Sequence, residues 1–163
     1  MKSAIVFYSF SGNTKMVAAL LASVLREKGQ VEIIELKPSD ESKSFFGQAA
    51  RAFRRKRARL ENVNFELSQF DLICFGTPVW AFAPVPALNT YLDNCKGIEG
   101  KDIILFTTYG SGAGRERCVN YMQQFLANKG ARSFKRFSIQ QFKVKDRESV
   151  LSEIKQLRLW PNG

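Results

Sequence analysis

The chain reads as an α/β domain built on a parallel sheet, and three features of the sequence predict it. Hydrophobic periodicity alternates between short apolar runs and helical patterns along the chain. The run Ala4-Ile5-Val6-Phe7-Tyr8 is continuous, as expected of a strand covered on both faces. A tight polar turn follows it at once, and then a strong helix former, Met16 to Ala22. With 163 residues, 45% hydrophobic and 25% charged, the chain is long enough for one domain, 1–163, with a real core, and it lacks the composition of a disordered one.

The elements follow in order. The first strand is expected over Ser3 to Tyr8 and the first helix over Asn13 to Lys28, with Gly29 in the usual position after a helix. Val31 to Leu36 is the second strand, closed by Pro38. Phe70 to Gly76 forms the third, and a helix from Pro86 to Asn94 comes after it. Asp102 to Thr108 is the fourth strand and Arg115 to Lys129 its helix. Ser133 to Ile139 alternates more, which suits an edge strand, and Ser149 to Leu159 closes the chain as a helix.

The segment from 38 to 63 is the irregular one. Arg51, Arg54, Arg55, Lys56, Arg57 and Arg59 put six cations within nine positions, six of the ten net positive charges. Phe45, Phe46, Ala49, Ala50 and Phe53 recur at roughly helical spacing. A basic amphipathic helix covering the sheet explains this, and so does a docking surface for an acidic protein or a nucleotide phosphate; nucleic acid is the less expected partner.

Composition excludes several chemistries. Without a histidine there is no Ser-His-Asp or Cys-His catalysis, and the commonest transition-metal ligand is missing. Cys74, Cys95 and Cys118 form no C-x-x-C pair, so no zinc or thioredoxin-type motif is supported; Cys74, in an apolar strand, reads as a buried structural thiol. No catalytic side chain and no metal ligand is therefore assigned, and redox chemistry must come from a cofactor. No apolar run approaches the roughly 20 residues of a membrane span, and Asn and Ser interrupt any signal-peptide core. A cytoplasmic protein is expected.

Three turns carry the candidate chemistry. Ser9-Phe10-Ser11-Gly12-Asn13-Thr14 joins a strand to a helix start, where unpaired N–H groups and the helix dipole favour an anion. The same hydroxyls would also serve as plain helix caps. Gly76 to Pro86 contains Pro78, Val79, Trp80, Ala81 and Phe82, a stiffened loop with two π faces. Thr108-Tyr109-Gly110-Ser111-Gly112 lets the backbone follow a ligand edge closely. The alternative for Trp80 and Phe82 is packing under the basic helix, and Tyr109 would equally serve as packing.

The run SFSGNTK after an opening strand resembles the phosphate loop of flavodoxins and related FMN-dependent reductases, and G-T-P-V-W resembles their flavin-ring loop. The resemblance spans nearly the whole chain, least over 38–63. It implies a doubly wound, five-stranded sheet of order 2-1-3-4-5, a three-layer flavodoxin-like sandwich. It also implies FMN, its phosphate on Ser9, Ser11, Gly12, Asn13 and Thr14 and its ring between the two later loops. The third loop departs from the flavodoxin pattern in lacking an acidic residue, which removes a negative charge near the ring. Electron transfer through non-covalent FMN is the function implied. An NAD(P)H-dependent oxidoreductase acting on quinones or flavins is the alternative, and a flavin-free basic interaction module a weaker one. A redox protein or NAD(P)H is the expected partner, and the sheet edges leave room for a homodimer.

Overall fold

The computed structural model describes residues 1–39 and 57–159. Five parallel strands, β1 (Lys2–Phe7), β2 (Gln30–Glu35), β3 (Leu72–Pro78), β4 (Asp102–Tyr109) and β5 (Ser133–Gln140), form one sheet in the order β2-β1-β3-β4-β5. This is the expected doubly wound order. Among the described residues the helices are α1 (Asn13–Arg26), α2 (Pro86–Asn94), α3 (Arg115–Asn128) and α4 (Arg147–Gln156). A 3-10 turn, Gln141–Lys143, follows β5 and has no counterpart in the sequence reading.

Strand alternation sorts the core into two halves, because successive side chains point to opposite faces. Ala4, Val6, Ile73, Phe75 and Leu105 meet Leu88 and Tyr91 of α2 and Met122 and Leu126 of α3. Ile5, Phe7, Cys74, Ile104 and Phe106 meet Val17 and Leu21 of α1 and Val150 and Ile154 of α4. Burial on both faces is why β1, β3 and β4 read as continuous apolar runs. The outer strands β2 and β5 are only partly covered and read as mixed.

One strand glycine answers to packing. Gly76 pairs with Phe106 across β3 and β4, and a Cβ there would lie 2.1 Å from the Phe106 ring. That ring stacks on Phe137 at 5.7 Å. Cys74, Cys95 and Cys118 are all buried free thiols. Burial raises all three thiols above their ordinary range; for Cys95 it reaches about 11, even though Lys129 pulls the other way.

Of the basic segment, Arg51, Arg54, Arg55 and Lys56 lie outside the described residues, as does most of the expected helix. Arg57 and Arg59 lie in non-helical chain. Arg57 pairs with Asp93, whose hydrogen bond raises the guanidinium's affinity for its proton, and Arg59 pairs with Glu61 at 3.2 Å. Between them Ala58 is fastened to α2, its N–H donating to Thr90 Oγ1 at 2.9 Å and its carbonyl accepting from the same hydroxyl at 2.8 Å. No helix among the described residues is long and apolar enough to cross a membrane.

Candidate functional site

Because every strand is parallel, the turns after β1, β3, β4 and β5 all emerge at one edge of the sheet. There they enclose a cleft of about 470 Å³. Its lining is Phe10, Ser11 and Asn13 from the first turn, Pro78, Val79 and Trp80 from the second, Thr108 to Ser111 from the third, and Gln141. An adjoining hollow of about 180 Å³ shares Val79, Tyr109, Gly110 and Ser111 and adds Ala81, Phe82, Gly112 and Ala113. Ser9, Gly12 and Thr14 line neither.

The first turn is built around the start of α1. Gly12 takes the N-cap position at φ 90° and supplies no side-chain acceptor. Ser9 Oγ accepts the N–H of Lys15 at 3.2 Å, so one hydroxyl of this turn does cap the helix. Thr14 is 1% exposed, and its hydroxyl meets that of Thr108 at 2.8 Å, tying α1 to β4. Ser11 and Asn13 are the polar side chains of this turn that face the cleft.

The second turn is held by its own hydrogen bonds. Trp80 and Ala83 exchange backbone bonds at 3.1 and 3.0 Å, closing a four-residue turn. Both central residues have positive φ, 45° at Ala81 and 66° at Phe82. That is the signature of a mirror-image turn, which ordinarily takes Asn-Gly. Left-handed backbone costs a residue with a Cβ about 1–2 kcal/mol, and such strain persists where the surroundings over-determine it. Here they do. Thr77 Oγ1 accepts the Val85 N–H at 3.3 Å, and Asn89 Nδ2 donates to the Pro84 carbonyl at 3.1 Å. Val79 N–H donates to the Thr108 carbonyl at 2.8 Å. Trp80 is 6% exposed, edge-on to Tyr8 at 5.9 Å and to Phe10 at 5.5 Å. It both lines the cleft and packs beneath it.

In the third turn, the Arg115 guanidinium sits 5.1 Å from the Tyr109 ring centroid and donates to the phenol oxygen at 3.3 Å. Tyr109 is thereby fixed to the start of α3. Gln140 Nε2 donates to the Gly110 carbonyl at 3.0 Å. Gln141, which closes the fourth side, and Gln140, which holds the third turn, were missed in the sequence. Their position at and directly after the end of the fifth strand, on the same edge as the other three turns, is the signal that would have found them.

The cleft suits a large, flat, anionic group. An open helix start with neutral donors faces one end, apolar Pro78 and Val79 and glycine-rich backbone face the rest, and among the described residues no acidic side chain lines either hollow. Exposed Phe10 (41%) lines it and exposed Phe82 (44%) lines the adjoining hollow, and Phe142 (70%) follows Gln141 in the chain. Among the described residues no cluster of metal-ligating side chains occurs.

Solved structures share the fold. One is a flavoprotein in complex with FMN from Lactobacillus acidophilus NCFM, 22% identical with TM-score 0.64, the match covering 90% of this chain and 98% of that one. Another is oxidised flavodoxin 1 from Bacillus cereus, 20% identical with TM-score 0.62, covering 95% and 98%. A third is the apo form of an NADH:FMN oxidoreductase (EMOB), 17% identical with TM-score 0.64, covering 98% and 89%. The family model for NADPH-dependent FMN reductase matches residues 3–143, a span that takes in all four turns around the cleft. The chain therefore belongs to the NADPH-dependent FMN reductase family, with a flavodoxin-like fold and FMN as its cofactor.

Proposed function

We propose that this single domain, 1–163, is an NAD(P)H-dependent oxidoreductase that works through FMN held in the cleft between the four turns. The observation that carries the reading is the cleft itself: neutral donors at a helix start, a glycine-rich wall, and, among the described residues, no carboxylate lining it. When bound, FMN supplies the redox chemistry, taking up electrons from a reduced nicotinamide and giving them to an acceptor such as a quinone or flavin. Every other part belongs to the chain.

Ser11 and Asn13, with the first N–H groups of α1 and the glycine backbone at Gly12, would hold the phosphate; Ser9 and Thr14 hold the turn in shape. Pro78, Val79, Trp80, Ala81 and Phe82 on one side, and Thr108, Tyr109, Gly110, Ser111 and Gly112 on the other, would hold the ring. Their backbone groups would bond its polar edge and their apolar surfaces would exclude water. With no acidic side chain among the described lining residues, added negative charge on the bound group meets no like charge from them. No side-chain acid or base is required.

A second reading, a one-electron carrier, is favoured by the exposed rim of Phe10, Phe82 and Phe142, which a protein partner would cover. An acidic partner at Arg51, Arg54, Arg55, Lys56, Arg57 and Arg59 belongs to that reading, although Arg57 and Arg59 already carry internal ion pairs. Homodimer formation and a cytoplasmic location are proposed with either.

The test is an absorption spectrum of the purified protein with FMN, taken anaerobically before and after NADPH or NADH. Prompt bleaching by a nicotinamide is expected. Bleaching only by dithionite or a separate reductase would establish the carrier instead.

A further inference from the structure

Phe82 does not simply stand at the cleft. A Cβ built on Gly114 would lie 1.9 Å from Phe82 Cδ1, 2.7 Å from its Cγ and 2.8 Å from its Cα. The ring of the second turn therefore rests on bare backbone at the N-cap of α3, where Gly114 has φ 77°. No other residue type leaves that space. The ring is carried on the left-handed Ala81-Phe82 pair, and Gly114 is the backbone it rests on. One contact thus joins the wall formed after β3 to the wall formed after β4, outside the hydrogen bond from Val79 to Thr108 that joins them deeper in.

We propose that Phe82 and Gly114 form a latch that sets the separation of the two walls of the cleft, and so the thickness of the flat group it admits. The inference rests on the reading that the cleft holds FMN. Phe82 acts through Gly114 as a positioning residue. Adding one methyl at position 114 forces the ring off its seat, and the second turn with it, so the walls no longer match the ligand. Packed contacts of this kind do not yield gradually.

The experiment compares dissociation constants for FMN and for riboflavin, read by flavin fluorescence, in five proteins. These are wild type, Gly114→Ala, Phe82→Gly, the double variant, and Gly100→Ala. Phe82→Gly relieves the positive φ while removing the ring, so it is the ring-less variant best able to fold. Gly100 has φ 69°, and a Cβ there would meet nothing within 4 Å, so its alanine variant carries the left-handed backbone cost without a collision. Gly114→Ala is expected to weaken FMN and riboflavin alike, by roughly tenfold, as overpacking does. In the Phe82→Gly background the same change should cost less, no more than about threefold, because the 1.9 and 2.7 Å collisions with the ring are gone and the 2.8 Å approach to the backbone Cα is left to be relieved by a shift of the turn. Gly100→Ala should lower the melting temperature without changing either constant.

An equal cost of Gly114→Ala in both backgrounds overturns the latch while leaving the flavin reading standing. A cost to FMN much larger than to riboflavin also overturns it, since that would place the damage at the phosphate. A wild-type protein that binds neither flavin overturns both readings.

Discussion

Thr14 Oγ1 and Thr108 Oγ1 lie 2.8 Å apart in a buried position, joining the first turn of α1 to the end of β4. Two of the turns that make the cleft are therefore tied by a buried side-chain hydrogen bond. Thr14→Val keeps the shape and removes the hydroxyl, leaving Thr108 with an unmet partner. A loss of about 1–3 kcal/mol in urea unfolding is expected. Thr14→Val/Thr108→Val should lose less than the sum of the single changes. Binding should respond differently: Thr14→Val is expected to affect FMN and riboflavin equally, while Ser11→Ala should weaken FMN more. A loss confined to FMN in Thr14→Val would return that hydroxyl to the phosphate.

Trp80 supports the cleft as well as lining it, so its removal should show in two measurements. It packs edge-on between Tyr8 and Phe10 with 6% exposure. Trp80→Ala is expected to cost about 3–5 kcal/mol of stability, the range for removing a large buried aromatic. Flavin affinity, measured at a temperature where the variant is folded, should fall by roughly 1–3 kcal/mol. Unchanged affinity with lowered stability would make Trp80 packing alone.

The fold was legible because the strongest local signals agree with the tertiary arrangement. Apolar runs mark β1, β3 and β4, which are covered on both faces, and the turns fall where a parallel sheet gathers its ligand-binding residues. The strand order was supplied by resemblance and agrees with the sheet. The side-chain bonds were not legible. Nothing in the spacing of Thr14 and Thr108 says that the two hydroxyls meet across 94 positions, and Trp80 gives no sign of being held by Phe10. Ala81-Phe82 is the least predictable pair, because its left-handed backbone runs against local preference and is fixed by distant contacts. Gln141 escaped notice because short polar turns carry no periodic pattern.

Gly76 tests the packing beneath the second turn. Its missing side chain makes room for Phe106, whose ring cannot swing away freely because it stacks on Phe137. Gly76→Ala should therefore destabilise by about 1–3 kcal/mol, the range for overpacking a filled core. Adding Phe106→Leu should recover part of the loss, read as the shift in urea midpoint. No recovery would mean that the cost lies in the β3 backbone.

Asp102 opens β4 opposite Ser133 of β5, and it binds both Arg132, at 2.9 Å through Nε, and the Ser133 hydroxyl at 2.7 Å. Hydrogen bonding from Arg132, then from Ser133, holds its carboxyl below the usual carboxylate range. A group depressed on folding contributes stability above its unfolded value, about 3.9 for an aspartate, and loses it as pH falls through the lower folded value. Asp102→Asn should therefore unfold at lower urea than wild type at pH 7, by a small margin because the pair is solvent-exposed and screened. The gap should close below about pH 4 as the wild-type carboxylate takes up its proton. High salt should narrow the gap at pH 7 as well. A gap that stays constant from pH 7 into the acid range would show that the side chain's shape, and not its charge, fastens the first residues of β5 to β4.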